Sequence, residues 1–150
     1  MSRPKFRCAA DRLKGTHMKL VIAEKPSVGN SIARMIGADR QRGDGFTSGN
    51  GYIVSWCFGH LVALSSPEEY DKRYAKPWKL SNLPIIPEEF RWTVAESTAP
   101  QFEKLKALME RPDVDEIICA TDAGREGECV FRYVYFQAGC TKPFKRLWIS

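Results

Sequence analysis

Thr121-Asp122-Ala123-Gly124-Arg125-Glu126-Gly127-Glu128 places three carboxylates and one guanidinium within eight positions, directly after the apolar run Ile117-Ile118-Cys119-Ala120. Glu24 closes another such run, Lys19-Leu20-Val21-Ile22-Ala23, and is followed by Lys25-Pro26-Ser27. Crowded carboxylates repel one another unless protons or a cation neutralise them. Hard oxygen donors suit Mg²⁺, which takes one or two carboxylates and completes its shell with water and phosphate oxygens. Such a set is therefore expected to hold a divalent cation at a shared acidic site. A plainer explanation competes at Glu126 and Glu128, because a helix N-terminus favours acids through its dipole. For Glu24 together with Asp122, a shared site is the expectation. Taken alone, Lys25 reads as a solvent-facing lysine, and His60 serves equally well as a turn histidine satisfied by backbone.

These side chains can meet only if two distant segments end at one edge. Lys19–Ala23 is short, apolar and β-branched at its centre, which predicts a buried strand. Pro26 suits the first turn of a helix. Val28, Ile32, Met35 and Ile36 recur at helical spacing, and Gly37 offers a stop. Residues 41–51 have a turn composition. Tyr52–Phe58 predicts a strand, broken at Gly59-His60 before Leu61–Leu64. Ser65–Pro87 predicts an ordered loop pinned by Tyr70, Tyr74, Trp78, Ile85 and Ile86, and Phe90–Val94 a further strand. Thr98 and Gln101 fit a capping box ahead of a helical face of Phe102, Leu105, Leu108 and Met109. Asp113–Glu116 leads into the strand Ile117–Ala120, Thr121–Gly127 is a polar turn, and Phe131, Val134, Tyr135 and Ala138 mark the next helix. Arg146–Ile149 begins another strand. Strands alternating with amphipathic helices predict an α/β fold with a mainly parallel sheet flanked by helices. Ligands of such sheets gather at the carboxyl ends of the strands, where Glu24 and Asp122 are expected.

Bulk properties limit the reading. At 150 residues the chain is the size of one domain. No apolar run approaches the roughly 20 residues of a membrane span, and residues 1–17 lack the apolar centre of a secretory signal. The five cysteines, Cys8, Cys57, Cys119, Cys129 and Cys140, are odd in number and contain no Cys-x-x-Cys pair. A reducing cytoplasm is expected, with Cys57 and Cys119 as buried small apolar groups. The net charge of +5 is misleading as a sign of nucleic-acid binding: residues 1–17 hold five of the 23 basic residues and one of the 18 acidic ones, and so carry +4 of it. Phosphate contacts must come from local clusters. Residues 1–17 read as a basic, disordered extension or a cloning remnant, and Met18 as the start of the domain, which spans 18–150.

A glutamate after the first strand, with an acidic turn after a later one, resembles the Toprim domain shared by type IA and type II topoisomerases, bacterial primases and OLD-type nucleases. Ala23-Glu24-Lys25-Pro26-Ser27, Phe58-Gly59-His60-Leu61-Val62, Pro84-Ile85-Ile86-Pro87 and Arg146-Leu147-Trp148-Ile149-Ser150 resemble the topoisomerase III group of type IA DNA topoisomerases. The resemblance runs almost continuously over 18–150. It implies a Toprim, Rossmann-like fold and an ATP-independent isomerase that cleaves, passes and reseals single-stranded DNA with Mg²⁺ and no nucleotide cofactor. By the same resemblance, Glu24 is a metal-site residue and general acid toward the leaving 3′ oxygen. Lys25 stabilises the scissile phosphate, Asp122 and Glu126 complete the metal set, and His60 contacts DNA. Arg125 is a phosphate contact by position and chemistry. The implied partners are single-stranded DNA and the remaining domains of a full-length topoisomerase, in a bacterial cytoplasm at the nucleoid and with no membrane.

Two departures matter. The Toprim pattern has a second aspartate where this chain has Gly124, which leaves two carboxylates unless Glu126 or Glu128 swings in. None of Tyr52, Tyr70, Tyr74, Tyr133 and Tyr135 lies in a segment resembling the region of the family's nucleophilic tyrosine. The chain alone is therefore expected not to relax supercoils. Two alternatives stand beside this reading: a stand-alone DNA-binding Toprim module without chemistry, and a Toprim nuclease using metal-activated water.

Overall fold

The computed structural model describes residues 17–148. Residues 1–16, with Cys8, and the pair Ile149-Ser150 lie outside the described residues, and with them most of the expected extension and the end of the expected last strand.

The first strand, β1 (Met18–Ala23), is central. It pairs in parallel with β4 (Tyr52–Trp56) on one side and β7 (Val114–Ala120) on the other. β8 (Phe144–Arg146) adds in parallel beyond β7. β3 (Phe46–Gly49) and β2 (Gln41–Gly43) extend the β4 edge antiparallel, giving the order β2-β3-β4-β1-β7-β8. A separate antiparallel pair joins β5 (Val62–Leu64) to β6 (Trp92–Val94). The fold is α/β with a mainly parallel central sheet, as expected.

Side chains alternate across a strand, so β1 serves two cores. Leu20 and Ile22 join the larger core with Ile53, Ile117 and the helices α3 (Ala99–Glu110) and α4 (Arg125–Gln137), through Phe102, Leu105, Phe131 and Val134. Val21 faces the other way, with Val54 and Ala33 of α1 (Pro26–Ile36). Both faces are covered, which is why the strand sequences are apolar throughout.

Several expectations need correction. Residues 41–51 are not a loop but most of a meander. Asn50 (φ 50°) and Gly51 (φ 80°) make the two-residue turn between β3 and β4, and Asn-Gly is the strongest short hairpin signal. Met35 does not pack: it is 87% exposed, and Gly29 and Ala33 are the buried residues of α1. Thr98 occupies the N-cap of α3 without a side-chain cap bond. Gln101 is buried and donates Nε2–H to the carbonyl of Trp56 at 2.7 Å, which ties α3 to the sheet instead of closing a capping box. Between β5 and β6 the chain is ordered by one helical turn, α2 (Pro67–Tyr70), and two 3₁₀ turns. Tyr70, Tyr74 and Ile85 are half-buried there, but Trp78 and Ile86 face solvent. The last strand ends at Arg146 rather than beginning there, and the polar turn after β7 is shorter than expected because α4 already starts at Arg125.

Candidate functional site

Parallel pairing aligns Ala23 with Ala120, so β1 and β7 deliver their next residues to one edge. The Oε2 atom of Glu24 accepts the backbone N–H of Asp122 at 3.0 Å. This is the pair that the sequence singled out, joined directly. Glu24 is half-buried, while the Asp122 carboxylate is exposed and free to meet a ligand.

Lys25 is the N-cap of α1, extended at φ −148°, with Pro26 in the first turn. Its side chain is exposed at the positive end of the helix dipole, where an anion is welcome. The 57–60 segment crosses the same edge: Cys57 N–H donates to the carbonyl of Ala23 at 2.8 Å, and Gly59 N–H to that of Glu24 at 3.2 Å. Gly59 has φ 76°, which aims His60 across the sheet edge. His60 Nε2 lies 3.5 Å from Glu126 Oε1. Both side chains are substantially exposed, so this contact is a weak tether.

The candidates therefore fall into two neighbouring pairs, Glu24 with Asp122 and His60 with Glu126. Among the described residues no three His, Cys, Asp or Glu side chains stand close enough to form a ready metal cage. Glu128 cannot supply the missing carboxylate without breaking its own contacts. It accepts from Arg132 Nε at 2.7 Å and lies 3.2 Å from Arg146 Nη1. Arg125 opens α4 and is exposed. Gly124 precedes it in extended backbone, φ 172°, and a Cβ there would meet nothing within 4 Å.

Two features of the turn were not singled out from sequence. A Cβ on Gly127 would lie 2.2 Å from the carbonyl oxygen of Asp122, so α4 packs against the turn only because this residue is glycine. Thr121 reinforces that approach by donating Oγ1–H to the Gly127 carbonyl at 2.7 Å. The second is Arg146, whose guanidinium reaches the turn from β8 and donates Nη2–H to the carbonyls of Thr121 at 3.1 Å and Asp122 at 2.5 Å. Gly127 was read only as the last residue of the polar turn, and its being glycine was the available signal of a close backbone approach. Arg146 was marked only as the first residue of the motif Arg146–Ser150, and its contact with the turn depends on strand order.

The site also shapes its surroundings. Cys57 is buried below Glu24, and burial, with the Glu24 charge second, pushes its thiol up to about 12. Cys57 and Cys119 are free thiols in the core, as expected of small apolar groups.

The Toprim domain family matches residues 19–150. The chain is 51% identical over 132 residues to DNA topoisomerase 3 of Shouchella clausii, covering 88% of this chain and 18% of that protein. DNA topoisomerase 3 of Bacillus anthracis is 51% identical over 131 residues, and that of Bacillus licheniformis 50% over the same length. The chain thus spans about a fifth of the length of these relatives (18%).

Proposed function

The chain belongs to the Toprim domain family, and on that premise we propose that it is the metal- and DNA-handling part of a type IA, topoisomerase III-like DNA topoisomerase. The whole enzyme would cleave, pass and reseal single-stranded DNA. The observation that carries the reading is the Glu24–Asp122 contact at the carboxyl ends of β1 and β7, the edge where ligands of parallel sheets gather.

The donor set fits Mg²⁺: hard carboxylate oxygens, few in number, open to solvent on the Asp122 side. Asp122 and Glu24 would hold the ion, with Glu126 able to join if it leaves His60. When bound, the cation would neutralise charge on the phosphate oxygens. The remaining work belongs to this chain's own side chains. Lys25, at the N-terminus of α1, binds and orients the scissile phosphate. Glu24, once protonated, gives its proton to the leaving 3′ oxygen. His60 and Arg125 flank the edge and contact the DNA backbone. The five tyrosines do not offer the nucleophile: Tyr133 packs on Trp92 with ring centroids 4.1 Å apart, and Tyr135 donates to the carbonyl of Lys142 at 2.6 Å. Tyr52 lies in β4, and Tyr70 and Tyr74 lie in the segment between β5 and β6. The nucleophile would come from the remaining domains of a full-length topoisomerase, the proposed partner. The setting proposed is cytoplasmic, at the nucleoid.

Fluorescence anisotropy with a single-stranded oligonucleotide, with and without Mg²⁺, tests this reading. Binding should weaken as salt rises, and Lys25→Ala and Arg125→Ala should each flatten the salt slope by about one phosphate contact. Absence of binding in both metal conditions would overturn it. Metal-dependent nicking of plasmid, lost in Glu24→Gln, would favour a nuclease instead.

A further inference from the structure

The peptide unit between Thr121 and Asp122 is held at both ends. Its N–H, on Asp122, donates to Glu24 Oε2 at 3.0 Å. Its carbonyl, on Thr121, accepts from Arg146 Nη2 at 3.1 Å. The same Nη2 donates to the next carbonyl, that of Asp122, at 2.5 Å. Nη1 reaches the Thr121 hydroxyl at 2.8 Å and Cys119 Sγ at 2.7 Å, and lies 3.2 Å from Glu128 Oε2.

This is a demanding use of a cation. The Arg146 side chain is 18% exposed, so it has given up most of its water. Desolvation of that kind is tolerated when paired charge and hydrogen bonds replace the solvent. Glu128 supplies the charge and the turn supplies acceptors for both Nη atoms, leaving only the buried Nε without a partner. A guanidinium suits the geometry because its planar fork turns Nη2 to the two carbonyls while Nη1 faces the Thr121 hydroxyl and Glu128, a division that the point charge of a lysine cannot reproduce. The carbonyls need such a donor: β7 ends at Ala120 and α4 begins at Arg125, so Thr121 and Asp122 lie between strand and helix.

We propose that Arg146 is the positioning residue of the acidic site: from β8 it sets the Thr121–Asp122 peptide so that the amide meets Glu24 and the Asp122 carboxylate faces the sheet edge. It acts through the backbone and touches no substrate. Its positive charge also polarises the peptide toward the Glu24 carboxylate, so the two hydrogen bonds strengthen one another. Glu128 belongs to this clamp and not to the metal set. The functional consequence rests on the metal reading above, whereas the clamp itself does not.

Hydrogen exchange of the backbone amides, followed by NMR on the full chain, separates the two. In Arg146→Lys and Arg146→Met, the Asp122 amide should exchange at least about tenfold faster, while Ile118 and Cys119 in β7 keep their protection. Glu128→Gln, a milder change, should move Asp122 in the same direction by a smaller factor and covers the case in which Arg146→Met does not fold. Mn²⁺ affinity, read from the free-ion paramagnetic signal with a single-stranded oligonucleotide present, should fall about tenfold in Arg146→Lys with the melting curve still cooperative. Unchanged Asp122 exchange in Arg146→Lys and Glu128→Gln overturns the inference whatever the metal result. Accelerated Asp122 exchange in a protein that binds no Mn²⁺ even as wild type upholds the clamp and overturns the metal reading alone.

Discussion

Glu24 and Asp122, 98 residues apart in sequence, are joined by a hydrogen bond from the Asp122 N–H to the Glu24 carboxylate at 3.0 Å. The bond uses the backbone of Asp122 and leaves its carboxylate free. One residue is thus oriented by the other, and the pair presents separate oxygens to whatever binds.

Glu24→Gln keeps an acceptor for that N–H and removes only the charge. The thermal midpoint should stay within about 4 °C, corresponding to a change of roughly 1 kcal/mol or less. Mg²⁺ affinity, measured by calorimetry in the presence of a single-stranded oligonucleotide, should fall at least tenfold. Without DNA the wild-type protein should bind Mg²⁺ only weakly, because two carboxylates leave most of the shell to water and phosphate. Micromolar affinity without DNA would contradict this.

Gly124→Asp should tighten divalent-metal binding. The position is open, its extended backbone accepts any residue, and a carboxylate there would stand two residues from Asp122. A gain of about tenfold, on the order of 1.4 kcal/mol, is expected by titration. No gain would mean that this turn points position 124 away from the ion.

Gly127→Ala should damage both the turn and stability. Its Cβ would meet the Asp122 carbonyl oxygen at 2.2 Å, and backbone cannot give way as a flexible side chain can. Urea denaturation should show a loss of about 1–3 kcal/mol, the usual cost of overpacking. Gly124→Ala, with nothing near its Cβ, is the matched control and should stay close to wild type.

Stability should fall with alkali in a way that depends on Cys57. Burial lifts its thiol from 9.0 to about 12. Between these values the unfolded chain loses the proton while the folded chain keeps it, so the contribution is complete below pH 9 and declines as pH rises. The slope is about 1.4 kcal/mol per pH unit at most. Denaturation series across pH 8–11 should show a shallower decline in Cys57→Ala than in wild type. At the acid end the sign reverses: Arg111 holds Asp113 below its usual range and Lys145 does the same for Glu116, so their contributions are lost as pH falls through those lowered values.

The central elements were legible because their patterns are local. Lys19–Ala23 and Ile117–Ala120 are apolar throughout since each is covered on both faces, and α4 carries Phe131, Val134 and Tyr135 at helical spacing. The meander over 41–51 was misread because its glycines and polar residues mask strand pairing, although Asn50-Gly51 marked the turn. Met35 was misplaced because α1 sits close to the sheet through Gly29 and Ala33, and periodicity alone assigned the larger residue to the core.

By itself the sequence determined the α/β class, the two strand-to-acid junctions at Glu24 and Asp122, and the resemblance that family membership bears out, because these reside in residue types at short spacing. Only the tertiary structure decided which side chains meet. The parallel pairing of β1 with β7 joins Glu24 to Asp122, the turn at Gly59 brings His60 to Glu126, and the placement of β8 beside β7 delivers Arg146 to the acidic turn. Hydrogen-bonded pairing between strands acts across tens of residues of chain, and no local pattern encodes which strands will be neighbours.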